Sequence, residues 1–175
     1  HAVTVLGSTA VCAQRIQNEV ATGRVRFVMG SVTALPFPDR AFDVAVSIRL
    51  LPHCRQWPRL VGELCRVARA TVIVDYPAAR SLNCLTPALF GAKRRLEGNT
   101  RPYTLFAHRA VAEAFASQGF VLCARRAQFF LPMVLHRVLN RPGWSASLEA
   151  VCRALGLTAL WGSPVLLNMR RGAGQ

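Results

Sequence analysis

The sequence is short of acid and almost without lysine. Asp and Glu together number 8 against 22 Lys and Arg, and Lys93 is the one lysine. The net charge is +14 and the pI about 11.4. Such an imbalance suits nucleic acid, an anionic membrane surface or an acidic substrate. The arginines are scattered, with short clusters at Lys93-Arg94-Arg95, Arg125-Arg126 and Arg170-Arg171. They draw no stripe along which a phosphate backbone would run, so no nucleic-acid partner is expected. Arginine in place of lysine, beside abundant Ala, Val, Leu, Gly and Pro, is also what GC-rich codon usage produces. None of Cys12, Cys54, Cys65, Cys84, Cys123 and Cys152 forms a C-x-x-C pair, which argues against a zinc knuckle or a dithiol redox site. Most sit among apolar neighbours as free thiols do, which suits a reducing, cytoplasmic setting. No apolar run reaches the roughly 18–20 residues of a membrane span. The opening His1-Ala-Val-Thr-Val has neither Met nor the basic start of a signal peptide.

What is present is a core-forming composition, 52% hydrophobic and 17% charged, which excludes a disordered chain. Strand and helix signals alternate, the signature of an α/β fold with a largely parallel sheet. Strands are expected at Val3–Leu6, Val25–Met29, Asp43–Ile48, Thr71–Tyr76, Val121–Phe130 and Pro164–Met169. Asp43–Ile48 is nearly all apolar and is expected to be buried on both faces. Helices are expected from Ala10 to Thr22 (ended by Gly23), over Trp57–Ala68, over His108–Gln118 (ended by Gly119) and over Leu148–Leu155. Leu60, Val61, Leu64 and Val67 have helical spacing. No linker-like stretch divides the chain, so residues 1–175 are expected to form a single domain.

Val25–Tyr76 carries an ordered set of motifs. Leu35-Pro36-Phe37, Asp39 and Phe42-Asp43 precede an apolar strand. His53 follows, then a helix ending in Glu63 and Arg66-Val67, then another apolar strand. This set resembles the class I S-adenosylmethionine-dependent methyltransferases, in particular the type 11 group. The resemblance is firm over residues 25–76 and looser elsewhere. It implies a Rossmann-like three-layer sandwich with a mostly parallel sheet. It also places this chain's first strand second in the family order, so the first, central strand and its glycine-rich cofactor loop are missing and the chain reads as N-terminally truncated. One sheet is expected, in which Val3–Leu6 and Asp43–Ile48 pair directly or the N-terminal segment is displaced. The last strand should run antiparallel beside its neighbour.

The resemblance implies S-adenosyl-L-methionine as cofactor, with Leu6, Gly7, Ser31, Val32 and Ser47 at the cofactor-binding positions. Leu6 stands where the family has a ribose-binding acid, and leucine accepts no hydrogen bond. Ser31 stands where the family has an acid beside the adenine, and offers a weaker neutral acceptor. Open α/β sheets bind ligands at the carboxyl ends of their strands. That rule brings Ser47, Arg49, His53 and Tyr76 forward and expects them in one cleft with Leu6 and Ser31. His53 is the candidate base, or a structural helix cap; Arg49 is a candidate anion contact, or a solvated cation. Tyr76 and Phe90 are candidate substrate contacts, in apolar stretches that suit a small, greasy molecule. The expected function is methyl transfer to a small, apolar molecule by the full-length protein. The alternative is a non-catalytic methyltransferase-like binding domain.

Overall fold

The computed structural model describes residues 2–81, 103–131 and 142–172. Val3–Gly7 (β1) and Val25–Met29 (β2) pair in parallel, Val3 opposite Val25 and Gly7 opposite Met29. Between them lie two short helices, Ala10–Gln14 (α1) and Gln17–Ala21 (α2), in place of the one helix expected from Ala10 to Thr22. Ile16, at φ −127° and ψ 23°, breaks the run. Neither piece buries a residue. Packing of an apolar face supplies most helical stability in proteins, and here it is absent. Gly23 closes α2 at φ +70°, a conformation glycine adopts without steric cost.

The second sheet holds Phe42–Ser47 (β3), Ala68–Tyr76 (β4), Phe120–Ala127 (β5) and Val165–Arg171 (β6), in the order β3-β4-β6-β5. β3 and β4 are parallel, and β6 runs antiparallel to both β4 and β5. The last strand is thus inserted antiparallel, as expected. Trp57–Val67 (α3) turns Leu60, Val61, Leu64, Cys65 and Val67 into the core, the repeat of a one-faced helix. His108–Ala116 (α4) buries Val111 and Phe115. With them, Leu51, Val72, Val74, Tyr76, Phe120, Leu167 and Met169 form the core cluster. Pro142–Ala154 (α5) and Leu157–Trp161 (α6) come between β5 and β6, joined at Gly156 with φ +74°. The architecture is mixed α/β and Rossmann-like.

Two expectations are corrected. β2 and β3 stand in different sheets, and no ladder joins β1 to β3. Neither direct pairing nor a single sheet is formed, because no described strand hydrogen-bonds to both. β3 is also covered on one face only. Ala45 and Ser47 are buried, whereas Val44 is 47% and Val46 60% exposed. The strand's sequence is apolar on both sides, but the described elements cover only one of them.

Candidate functional site

The residues singled out from the sequence fall into two groups, one at each sheet. The first stands at the carboxyl ends of β1 and β2. Gly7 is the buried last residue of β1. A Cβ there would stand 2.6 Å from Cys12 Cβ and 2.9 Å from the Phe27 ring, so only glycine lets α1 and β2 approach this closely. Leu6 presents Cδ1 3.3 Å from where a Cβ on Gly30 would lie, and the Pro36 ring is closer still, at 3.0 Å. The side chain is an apolar wedge beside the turn. Ser31 bridges to Ala34, and its hydroxyl lies 3.0 Å from Thr33 Oγ1 and accepts from Thr33 N–H at 3.3 Å. Val32 turns the other way, onto the core cluster.

The second group stands at the carboxyl ends of β3 and β4. Ser47 ends β3; it is 5% exposed, and its Oγ is buried without a hydrogen-bond partner. Arg49 adopts φ +58°, an uncommon conformation for a side chain with Cβ. Its N–H donates to Asp75 Oδ1 at 2.5 Å, and Asp75 is 3% exposed. The buried carboxylate therefore holds the turn after β3 in its left-handed shape. His53 ends a 3-10 turn over Leu51–His53 and is exposed, with its ring 5.8 Å from Tyr103. Tyr103 leads a segment that returns across this end of the sheet. Thr104 N–H donates to Pro52 O, Phe106 N–H to Pro77 O, and Ala79 N–H to Phe106 O.

Tyr76 is fully buried beneath that segment. Its ring meets Phe106 edge-on at 6.1 Å and stacks on His108 at 6.3 Å and 18°. Its hydroxyl lies 2.7 Å from His108 Nδ1. Burial pushes the Tyr76 phenol up, partly offset by Arg125. Burial, and then Arg125, lowers His108. Both shifts favour a neutral pair in which the phenol donates and the imidazole accepts. Asp75, Tyr103 and His108 were not among the residues picked out from the sequence. Asp75 and Tyr76 are adjacent, but His108 is 32 positions away and opens a helix with no local signal of its partner. Phe90 lies outside the described residues.

The Leu35–Asp39 loop proves to be clasped by α3. Glu63 accepts from Leu35 N–H at 2.6 Å. Arg66 donates to Glu63, to Asp39, and to the carbonyls of Leu35 and Phe37, all within 2.8–3.0 Å. The motif residues Leu35 to Asp39, Glu63 and Arg66 thus form one structural joint. A polar recess of about 230 Å³ lies beside it, lined by Asp39, Arg40, Cys65, Arg66, Gln118 and Arg171, at the opposite end of β3 from Ser47. Among the described residues, no group of three or more His, Cys, Asp or Glu could hold a metal ion.

Residues 4–74 match the family model described as a methyltransferase domain. Ajmaline N-methyltransferase of Rauvolfia serpentina is 34% identical over 62 residues, which are 34% of this chain and 21% of that enzyme. Malonyl-[acyl-carrier protein] O-methyltransferase of Pectobacterium atrosepticum is 27% identical over 134 residues, 75% of this chain and 51% of that enzyme. The chain therefore spans about half, or less, of the curated relatives it matches. The fold of magnesium protoporphyrin IX methyltransferase from Synechocystis, with bound SAH, superimposes with a TM-score of 0.62 at 14% identity, over 98% of this chain and 64% of that one. The strand order and the matched stretch define a Rossmann-like methyltransferase fold. Residues 4–74 thus carry the match to the methyltransferase-domain family, and the chain as a whole shares the fold of solved methyltransferases.

The family's cofactor is S-adenosylmethionine, and the described residues suit it in part. The orphaned Ser47 hydroxyl, buried at the carboxyl end of β3, is a polar atom that a ligand would satisfy. At the ends of β1 and β2 the side-chain acceptor is Ser31, which is engaged with Thr33, while Leu6 offers none.

Proposed function

We propose that the protein carrying this chain transfers a methyl group from S-adenosylmethionine to a small, apolar molecule. The reading rests on the methyltransferase-domain match over residues 4–74, which takes in the carboxyl ends of β1, β2 and β3 with Leu6, Gly7, Ser31, Val32, Ser47, Arg49 and His53. When bound, the cofactor supplies a methyl group on a positively charged sulfur. The chain's own residues then bind, orient and exclude water, from which most of the rate of such a transfer can come. In this reading Ser47 and Ser31 give hydrogen bonds to the cofactor, Gly7 and Val32 let the chain pass close to it, and Leu6 is an apolar wall. Arg49, fixed by Asp75, and His53, beside Tyr103, face the acceptor. His53 takes a proton from the acceptor or orients it. Tyr76 supports this edge from below, and Phe90 adds apolar wall. Support for an apolar acceptor comes from the leucine- and phenylalanine-rich sequence around Phe90 and over Phe129–Leu135.

The test is transfer of an isotopically labelled methyl group to a panel of acceptors graded by polarity, alongside calorimetry of cofactor binding. Labelled product with apolar acceptors is expected, with turnover reduced in His53→Ala. Ser47→Ala should weaken cofactor binding about fivefold, the worth of one hydrogen bond. Neither binding nor turnover with any acceptor would leave a non-catalytic binding domain.

A further inference from the structure

Two non-glycine residues among those described hold a positive φ, Arg40 at 56° and Arg49 at 58°. A residue with a Cβ is disfavoured in this left-handed region roughly tenfold, so each must be held there by its surroundings. At Arg40, just before β3, the holder is backbone: Arg40 N–H donates to Arg66 O at 2.9 Å. At Arg49, just after β3, the holder is a side chain, Asp75, 26 positions further along the chain. The first tie adds to the clasp made with α3. The second stands at the carboxyl edge of the sheet, where open α/β sheets bind their ligands.

The stretch around Arg49 is pinned on both sides. Ser47 is buried at the end of β3, and Leu51 is wholly buried in the core. Ile48, Arg49 and Leu50 must therefore turn the chain between two fixed points. His53 N–H then donates to Leu50 O at 3.0 Å, so this turn runs directly into the one that carries His53. The orphaned Ser47 hydroxyl and the His53 ring thus hang from a backbone whose shape depends on Arg49. A carboxylate is a costly group to bury for such a task. Asp75 is 3% exposed, and the ion pairs among the described residues go to Asp39, Glu63, Asp43 and Glu113, not to it. A buried acid without a counter-charge depends on its hydrogen bonds, and the one from Arg49 N–H is short, at 2.5 Å. Asp75 also reaches the segment led by Tyr103: burial, and then the Asp75 charge, push the Tyr103 phenol up. One buried side chain therefore serves the turn after β3 and faces the segment that returns across it.

We propose that Asp75 is a positioning residue, whose carboxylate latches Arg49 in the left-handed turn and so sets where Ser47 and His53 stand for the ligand. What it supplies is a hydrogen-bond acceptor, not a charge aimed at the ligand. The identity of that ligand, S-adenosylmethionine, rests on the proposed function; the latch itself does not. The test is calorimetry of S-adenosylmethionine binding to the whole chain, with hydrogen exchange of Arg49 N–H followed by NMR. Asp75→Ala should weaken binding about tenfold and speed that exchange by at least as much. Asp75→Asn keeps an acceptor, and both readouts should stay within about threefold of the unaltered chain. Arg49→Gly placed in Asp75→Ala should recover most of the lost affinity, because glycine takes this φ without a latch. A carboxylate that merely stabilised the fold would not be rescued in this way. If Asp75→Ala alone does not fold, the same Arg49→Gly change should restore folding, and its failure to do so overturns the proposal. Equal losses in Asp75→Asn and Asp75→Ala overturn it too, in favour of an effect of charge. Absence of binding by the unaltered chain would count against the proposed function. Exchange at Arg49 then decides the latch alone, and exchange as slow in Asp75→Ala as in the unaltered chain overturns it.

Discussion

The β1–β2 unit and the four-stranded sheet come from one chain yet differ in what holds them. From residue 2 to residue 30 only Gly7 is buried, and both helices are short and exposed. Around β3-β4-β6-β5, by contrast, Phe115, Phe120, Leu51 and Leu167 are wholly out of water. A two-stranded sheet has little independent stability, whereas four strands with two packed helices can carry a core. Local sequence preference therefore shapes the first region, and burial holds the second. The largest test follows. Phe115→Ala should cost about 3–5 kcal/mol in urea or thermal unfolding, while Val20→Ala, on exposed α2, should stay within about 0.5 kcal/mol. Comparable costs at both positions would erase the distinction.

The joint between the regions is next in size. Arg66 satisfies two carbonyls and two carboxylates that would otherwise lose their partner, so Arg66→Met should cost about 2–3 kcal/mol. Glu63 adds a pH dependence. The Arg66 hydrogen bond holds its carboxyl below the ordinary value near 4.5. Its contribution is therefore complete above that value and is lost as the pH falls through the lower folded-state value. Unfolding curves from pH 6 down to pH 3 should show this loss, and Glu63→Gln should flatten it. An acid limb that survives in Glu63→Gln would place the linkage on another carboxylate.

Much of this was legible in the sequence. The helical spacing of Leu60, Val61, Leu64 and Val67 gave α3, and alternating signals located the six strands among the described residues to within a few positions. Periodicity registers burial on a face, and these elements are buried on one. It failed at β3, where Val44 and Val46 are apolar but lie open, because a strand's sequence does not record which neighbours cover it. It failed again at Ala10–Thr22, where helical composition lacks a packed face to sustain one continuous helix. The motif that carried the resemblance, from Leu35 to Arg66, is legible because it is a structural clasp with fixed spacing. The candidate site was less so. Ser47, Arg49 and Tyr76 follow from the rule of strand ends, but Asp75 and His108 act through contacts that no local pattern announces.

The Tyr76–His108 pair tests the well-packed side on a smaller scale. Tyr76→Phe removes one buried hydrogen bond and should cost about 1 kcal/mol. Burial lowers His108 in the folded chain, so the unfolded chain takes up a proton first. Stability should thus be full above the ordinary histidine value near 6.5 and decline as the pH falls towards the lower folded-state value. His108→Gln should abolish that decline while leaving the acid limb assigned to Glu63. A decline that persists in His108→Gln would show that another group takes up the proton.

Thiol reactivity reads the same contrast with the least disturbance to the molecule. Cys12 lies in α1, and its Sγ is 3.5 Å from Thr9 Oγ1; that hydrogen bond lowers its pKa. Cys65 lies on the inner face of α3, 2% exposed, and burial pushes its thiol up to about 12. Attack on a disulfide or alkylating reagent proceeds through the thiolate, so both the charge state and access favour Cys12. With substoichiometric iodoacetamide at pH 8 and peptide mass spectrometry, Cys12 should be modified first. Cys65 should stay protected until the chain unfolds globally, because the sheet and α3 open together. Urea below the unfolding midpoint should therefore speed Cys12 labelling and leave Cys65 unlabelled. Labelling of Cys65 at the rate of Cys12 in native buffer would mean that α3 opens locally, and the contrast between the two regions would then fail at its firmest point.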